Sequence, residues 1–229
     1  MKTLTTTKRL LNKTNAIWLT LSILLIVLSK YQIIPASIIE VLGFISGALC
    51  VWLVVKQNIW NWPIGIINAI SFIILFYQSR LYADMMLQFI YVILGIFGWY
   101  WWLRGGVNNS ELKVQSIGKI HALVVFVFAV FATIAMQRYL VSIGDSAPTL
   151  DALTTVMSLS AQYMLTKKYI ENWAVWIAAD VIYIGLYASR GLYLTSILYA
   201  VFLSLCIAGL IAWQKSRNTQ PVMVEDKEF

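Results

Sequence analysis

The sequence is poor in charged residues. Only 12% of its 229 residues are Asp, Glu, Lys or Arg, whereas 60% are hydrophobic. It also has a single histidine, two cysteines and four prolines. So few charges cannot cover the surface of a soluble domain of this length. The composition therefore predicts a polytopic membrane protein.

The rare residue types also exclude most familiar chemistry. Cys50 and Cys206 lie inside apolar runs without CxxC spacing or a neighbouring His, which predicts free thiols. The sequence has no GxGxxG, P-loop, HExxH or GxSxG pattern. We therefore expect no catalytic residue, no metal and no cofactor, and we predict that the chain is not an enzyme. The net charge of +7 is spread through loops, which argues against a nucleic-acid partner.

Eight apolar segments are long enough to cross a membrane as helices. They run approximately over residues 16–34, 36–55, 60–78, 82–103, 119–138, 149–165, 171–188 and 192–213. The connections are short except for residues 104–118, and both ends of the chain are polar tails. We therefore predict an all-α membrane protein with eight transmembrane helices.

Lys and Arg are distributed unequally between the two sides of these segments. Of the 17 Lys and Arg residues, 13 fall on the side that holds both tails. Only four fall on the other side, namely Lys30, Arg80, Arg138 and Arg190. Because positive residues favour the cytoplasmic side, this asymmetry predicts that both termini are cytoplasmic.

The chain contains an internal repeat. A single shift, which we call the repeat offset, overlays Glu40–Trp102 on Asp151–Trp213 without a gap. The matched pairs include Lys56/Lys167, Asn61/Asn172, Trp62/Trp173, Leu81/Leu192, Tyr82/Tyr193, Gly98/Gly209 and Trp102/Trp213. Each unit has three helices and one helix separates them, so both units have the same orientation. We predict a parallel three-plus-one-plus-three arrangement after an extra N-terminal helix, with a substrate bound between the repeats.

The repeat sets the predicted domain boundaries. The expected parts are a cytoplasmic tail with the extra helix (1–35), a first three-helix repeat (36–103), a loop and linker helix (104–148), a second three-helix repeat (149–213) and a cytoplasmic tail (214–229). Membrane lipid is the expected partner of the outer apolar faces of these helices.

Asp180 is a carboxylate near the middle of an apolar helix that is predicted to start near Asn172. It lies about 12 Å along that helix, close to mid-depth in a hydrocarbon core about 30 Å thick. A charge there costs about 3 kcal/mol on insertion scales, so it normally faces a cavity or a partner. The residues that share its face are Trp173, Trp176, Tyr183 and Tyr187.

Two interpretations of this face are open. Its rings and carboxylate suit a substrate site for a flat or cationic molecule. The alternative is a structural Asp180 bonded to a neighbouring helix, with tryptophans that serve as packing and interface anchors. A non-transporting scaffold would need only this second arrangement. An intramembrane enzyme would need a charged partner for Asp180, and the sequence shows no evident one in the membrane.

The first repeat differs at the position of Asp180, where the repeat offset places Ala69. It offers Asn68, Gln88 and Tyr91 instead, which suit either a site or contacts between helices. The corresponding faces of the sixth and eighth segments carry Ser158, Gln162, Tyr199, Phe202 and Cys206. The predicted substrate-binding residues are Trp173, Trp176, Asp180, Tyr183, Asn68, Gln88 and Tyr91.

Several segments resemble the PnuC family of bacterial vitamin carriers over approximately residues 39–214. The matching stretches are EVLGFISGALCVWL (40–53), NAISF (68–72), LYADMMLQ (81–88), GWYWW (98–102) and ENWAVW (171–176). The resemblance implies a fold like that of the SWEET sugar carriers, a homotrimer and a location in the bacterial inner membrane. It also implies facilitated diffusion of an uncharged-to-cationic vitamin without ATP or a coupled ion. A separate cytoplasmic kinase would then trap the vitamin by phosphorylation.

One position bears on which vitamin is carried. In the nicotinamide riboside carriers of the family, the resemblance implies Asn where this chain has Asp180. Asn both donates to and accepts from a carboxamide, whereas an ionised Asp only accepts. A carboxylate suits the aminopyrimidine donors and the thiazolium cation of thiamine, so we predict thiamine as the substrate. Nicotinamide riboside, with its cationic ring and ribose donors, is the alternative, and riboflavin is less favoured.

Overall fold

The computed structural model describes residues 27, 30, 31, 38–78, 82–144, 147–189, 191 and 193–219. Those residues form seven α-helices, which are α1 (Ile38–Val55), α2 (Asn61–Gln78), α3 (Tyr82–Arg104), α4 (Lys119–Ser142), α5 (Pro148–Thr166), α6 (Asn172–Ser189) and α7 (Tyr193–Asn218). They agree with the second to eighth predicted segments, which confirms the all-α class. The first predicted segment, 16–34, lies outside the described residues except for positions 27, 30 and 31, so the count of eight stays a prediction.

The chain divides into two compact units, Met1–Leu49 and Cys50–Phe229. The first unit contains most of α1, where the Ser46 hydroxyl donates to the carbonyl oxygen of Leu42 at 2.8 Å. The second unit contains the end of α1 and all the later helices. Within it, α2 packs against α3, α4 against α5, and α6 against α7. Helix α5 also contacts both α3 and α6, so it joins the two sequence repeats.

Among the described residues, four helical stretches are long and apolar enough to cross a membrane, judged by length and composition. They are Asn61–Gln78, Met85–Arg104, Lys119–Ser142 and Ser196–Asn218. Helix α4 shows the surface that results, because Phe126, Phe128 and Phe131 are 66%, 71% and 68% exposed. A continuous apolar face of this kind suits contact with lipid.

The turn that follows the first helix of each repeat has the same conformation in both repeats. Gln57 and Lys168, which the repeat offset relates, have φ angles of 52° and 51°. Asn61 and Asn172 repeat as well, because the side-chain amide of each donates to the carbonyl oxygen three residues before it, at 2.7 and 2.6 Å. The offset that relates the two sequences therefore also relates their backbone angles and hydrogen bonds.

Four buried tryptophans form what we call the tryptophan cluster. Its members are Trp62, Trp102, Trp173 and Trp213, with exposures of 3%, 2%, 1% and 0%. The first two rings lie edge to face at 5.3 Å and 89°, and the last two at 5.4 Å and 88°. The Trp62 ring lies against Gly98, and the Trp173 ring lies against Gly209. Each edge-to-face pair contributes about 0.5–1.5 kcal/mol beyond its burial, so the cluster is a repeated packing unit.

Two tryptophans of the cluster also form hydrogen bonds that run from one repeat to the other. The indole nitrogen Nε1 of Trp102 donates to the carbonyl oxygen of Leu165 at 3.1 Å. In the same way, Nε1 of Trp213 donates to the carbonyl oxygen of Val54 at 3.0 Å. Both bonds are buried, where an unpaired donor costs about 1–3 kcal/mol. These reciprocal bonds fasten the repeats together where α1 and α5 end.

The connection between α3 and α4 folds onto the turn between α5 and α6. The backbone N–H of Gln115 donates to the Lys168 carbonyl at 3.1 Å, and that of Ile170 donates to the Gln115 carbonyl at 2.9 Å. The Lys168 ammonium donates to the carbonyl of Leu112 at 2.7 Å and lies 4.3 Å from the centroid of the Trp102 ring. The Lys168 side chain is only 6% exposed and therefore forms a buried link between the loop and the tryptophan cluster.

Burial lowers the pKa of the Lys168 ammonium from 10.5 to about 8, against the opposing effect of the nearby Glu111 carboxylate. Because the folded pKa lies below the unfolded value, the unfolded chain binds more protons between about pH 8 and pH 10.5. The contribution of Lys168 to stability is therefore expected to rise with pH across that window. In Lys168→Met this rise should be smaller. Thermal unfolding of the detergent-purified full chain, followed across the window, measures the difference in slope.

The control for this comparison is Lys113→Met, because Lys113 is an exposed lysine of the same loop. Its stability should change with pH as that of the parent does. Equal slopes in the parent and in Lys168→Met would contradict the assignment.

Candidate substrate site

Helix α6 begins at Asn172 and carries Asp180 near its middle. The Asp180 side chain is only 5% exposed, although it is a carboxyl group. Its oxygen Oδ2 is buried and has no hydrogen-bond partner among the described residues. Leaving a buried acceptor unpaired costs about 1–3 kcal/mol, so such an atom is a candidate for a ligand contact.

The thiol of Cys206 on α7 is a close neighbour of the Asp180 carboxyl group across the interface between α6 and α7. Cys206 is 4% exposed, so both members of this pair are buried. The pair therefore places a polar contact inside an otherwise apolar interface.

Three stacked tyrosines lie next to Asp180, and we call them the tyrosine cluster. They are Tyr183 and Tyr187 of α6 and Tyr199 of α7. The Tyr183 and Tyr199 rings are 4.6 Å apart at 30°, and those of Tyr187 and Tyr199 are 5.3 Å apart at 20°. The cluster presents ring surface one helical turn from the Asp180 carboxyl group.

Hydroxyl groups extend the site to the first repeat. Tyr91 of α3 lies near Ser158 of α5 and Tyr183 of α6. Tyr183 also lies near Ser158 and Thr154, both of which are buried. Polar groups from α3, α5 and α6 are therefore gathered beside Asp180, and the site draws on both repeats.

The structure brings together Tyr91, Asp180 and Tyr183 among the predicted binding residues. It places Trp173 in the tryptophan cluster, where the ring is 1% exposed and packs against Gly209 and Trp213. Those contacts match the packing role that the sequence left open for this residue. Trp176 is half-buried and packs against the same hydrophobic core.

Gln88 and Asn68, the two predicted amides of the first repeat, are neither fully buried nor fully exposed. Gln88 is half-buried on α3, one turn before Tyr91, and Asn68 is half-buried on α2, beside the buried Ala69. Their predicted contacts with a substrate stay predictions.

Several polar members of the site were not among the predicted binding residues, and Cys206 and Thr154 show why. The helical spacing of α7 places Cys206 on one face with Tyr199, but that pattern does not pair it with Asp180. Thr154 gives no sequence signal, because its neighbour Tyr183 lies on a different helix. Only the packing of α5 against α6 brings these two together.

The sequence and the fold of this chain are similar to those of known transporters. The model of the nicotinamide mononucleotide transporter family matches residues 37–215. The nicotinamide riboside transporter PnuC of Escherichia coli K12 is 31% identical over 206 residues, which cover 79% of this chain and 86% of that protein. The riboflavin/roseoflavin transporter RibM of Streptomyces davaonensis is 23% identical over 80% of this chain and 89% of its own length. A crystal structure of the vitamin B3 transporter PnuC superposes with a TM-score of 0.65 at 26% identity, covering 88% of this chain and 92% of that one.

Fold and relatives together define a multi-pass membrane transporter of the vitamin class, and not an enzyme. The chain belongs to the PnuC family. The preference for thiamine that Asp180 suggested is not supported by these relatives, whose names favour the nicotinamide riboside alternative. One carboxylate suits both cations, so Asp180 alone does not separate thiamine from nicotinamide riboside.

Proposed function

We propose that the protein carries nicotinamide riboside into the bacterial cytoplasm and binds it beside Asp180. The observation that carries the proposal is the buried Oδ2 of Asp180, which has no partner among the described residues and lies next to stacked tyrosine rings. The names of several relatives support this choice of vitamin.

The chemistry of the site suits this substrate. Nicotinamide riboside combines a flat cationic ring with ribose hydroxyls. A carboxylate accepts hydrogen bonds from hydroxyls and attracts a cation, and aromatic faces attract a cation as well. The tyrosine cluster offers the faces and Asp180 offers the carboxylate. The half-buried Asn68 and Gln88 would supply amides for the carboxamide of the substrate, and Trp176 would border its ring.

The Asp180 carboxylate also gives a reason why a phosphorylated vitamin would stay in the cytoplasm. Phosphorylation adds about −1.5 to −2 charges to a molecule at neutral pH. A phosphorylated vitamin placed beside the buried Asp180 would meet like charge in a medium of low dielectric, where the repulsion is strong. Release of the free vitamin and its phosphorylation by a separate cytoplasmic kinase would therefore make uptake one-way, without ATP use by the carrier.

The proposed transport cycle uses the two repeats as moving parts. In a SWEET-like arrangement of parallel repeats, rocking of one repeat against the other opens the site to each side in turn. The Lys and Arg distribution supports cytoplasmic termini in the inner membrane. A homotrimer, as the family resemblance implies, is part of the same proposal.

Thiamine is the second candidate substrate. Asp180 itself favours it, because a carboxylate accepts from the aminopyrimidine N–H groups and pairs with the thiazolium cation. Riboflavin is a third, since a riboflavin transporter is among the relatives.

The test is calorimetric titration of the detergent-purified full chain with nicotinamide riboside, thiamine and riboflavin in separate runs. Nicotinamide mononucleotide and thiamine monophosphate serve as charged controls. We expect saturable binding of nicotinamide riboside and no detectable binding of either phosphorylated form. If only thiamine binds tightly, thiamine takes the place of nicotinamide riboside as the assigned substrate. If a folded protein binds none of the three vitamins, the proposal is overturned.

A further inference from the structure

We propose that Lys167, Trp101 and Arg104 form a binding site for the headgroup of an anionic phospholipid. The three residues meet where α3 and α5 end, since Arg104 is the last residue of α3 and Lys167 directly follows α5. None of them belongs to the groups gathered beside Asp180. This site is therefore separate from the substrate site and does not depend on which vitamin is carried.

Two neighbouring lysines lie over two neighbouring tryptophans of α3. The Lys168 ammonium lies 4.3 Å from the centroid of the Trp102 ring, and it also donates to the carbonyl oxygen of Leu112. The Lys167 ammonium lies 3.3 Å from the centroid of the Trp101 ring. Lys167 is half-buried, and its ammonium donates to no oxygen of the residues that the structure describes. Its three N–H donors therefore remain for an anion from outside the protein.

The ring under Lys167 continues onto the apolar surface of α3. Trp101 stacks on the ring of Phe97 at a centroid distance of 5.4 Å and an angle of 24°. Phe97, Tyr100 and Leu103 are exposed large side chains on the last turns of this helix. Because a face of this kind contacts lipid, Lys167 lies at the border between acyl chains and headgroups. A phospholipid would meet both the cation and the apolar face, whereas a free phosphate would meet only the cation.

Arg104 adds a second positive charge at the same place. It is exposed and follows Trp101 by three positions, so the two side chains are neighbours on the surface of α3. A guanidinium binds two phosphate oxygens at once, and an ammonium acts as a compact point charge. Two cations beside one phosphate favour a lipid with net negative charge over a zwitterionic lipid.

The first repeat contains only part of this arrangement. The repeat offset relates Lys167 to Lys56, which lies 4.6 Å from the ring centroid of Trp52 in the helix just before it. The offset relates Trp101 to Ala212, so no equivalent ring comes from the third helix of the other repeat. The contact between a lysine and a ring that reaches the apolar surface of α3 is therefore particular to Lys167.

The experiment measures thermal unfolding of the detergent-purified full chain with added phosphatidylglycerol or, at the same concentration, phosphatidylcholine. A ligand at about ten times its dissociation constant raises the midpoint by about 3–6 °C at this chain length. We expect this rise with phosphatidylglycerol, a smaller rise with phosphatidylcholine, and loss of the difference in Lys167→Gln. Lys113→Gln is the matched control, because it removes the same charge from an exposed lysine of the loop and should keep the difference.

Further variants separate the charge from the ring. Lys167→Arg keeps the charge and Trp101→Phe keeps a ring, so both should retain most of the difference between the two lipids. Trp101→Leu and Arg104→Gln should each reduce it. Native mass spectrometry counts the lipids directly, and the parent should retain more phosphatidylglycerol than Lys167→Gln. If Lys167→Gln does not fold, Arg104→Gln takes its place in both measurements.

Three outcomes would overturn the proposal. The first is an equal rise with both lipids, or a difference that persists in both Lys167→Gln and Arg104→Gln. The second is an equal rise with water-soluble glycerol phosphate, which would assign the cations to a free anion. The third is a midpoint that follows protein concentration and not lipid, which would assign this face to a second copy of the chain. None of these measurements uses a vitamin, so each outcome leaves the proposed function unchanged.

Discussion

Replacing Gly209 with alanine should lower the melting temperature of the purified protein by about 2–12 °C, because overpacking of a buried site costs about 1–3 kcal/mol and each kcal/mol shifts the midpoint by about 2–4 °C at this chain length. The added Cβ would overlap the ring of Trp173, at a separation that real Cβ atoms do not show. Trp173 is 1% exposed and lies between α6 and α7, so the ring has little space to move away. Thermal unfolding in detergent measures the shift.

The equivalent change in the first repeat tests the symmetry of the cluster. Gly98→Ala would overlap the ring of Trp62 in the same way, so its effect should match that of Gly209→Ala. Gly185→Ala is the control, because no heavy atom lies within 4 Å of its added Cβ, and its midpoint should stay equal or rise. A midpoint for Gly209→Ala as high as that of Gly185→Ala would contradict the described packing.

Replacing Asp180 with alanine should weaken binding of nicotinamide riboside by about 10- to 100-fold while the protein stays folded. Hydrogen bonds to charged groups contribute about 1.5–3 kcal/mol, and each 1.4 kcal/mol is a factor of about ten in affinity. Folding should survive because Oδ2 has no partner among the described residues and Ala69 occupies the equivalent site of the first repeat. Titration calorimetry gives the affinity, and thermal unfolding reports the fold.

Two further variants sharpen this measurement. Asp180→Asn keeps an acceptor and adds a donor for a carboxamide, so it should lose less affinity for nicotinamide riboside than Asp180→Ala. Glu111→Ala removes an exposed carboxylate outside the site and should leave affinity unchanged. If Asp180→Ala binds like the parent but unfolds more easily, the carboxyl group is structural.

The seven described helices could be predicted because their signals are local and numerous. Seven long apolar runs match the seven described helices, and each run is recognisable from its own residues. The repeat offset was visible from the Asn-Trp pairs and the late Trp and Gly matches. It recurs in the φ angles of Gln57 and Lys168 and in the tryptophan cluster.

The site was only partly predictable because the residues on one face of a helix do not show which residues of the neighbouring helix they contact. Asp180 and Trp173 share a face of α6, yet one lies beside Cys206 and the other inserts its ring against Gly209. The difference depends on which small residue of α7 stands opposite each of them. Spacing along α6 alone does not contain that information, and so the sequence assigned both residues to one binding surface.

The two buried indole hydrogen bonds, from Trp102 to Leu165 and from Trp213 to Val54, have a consequence for the origin of the chain. Each repeat carries both a donor and the matching acceptor, but each donor reaches only the acceptor of the other copy. A half-length ancestor with one repeat would therefore have satisfied these buried groups only as a homodimer. In the present chain, which carries both repeats, the same contact is intramolecular.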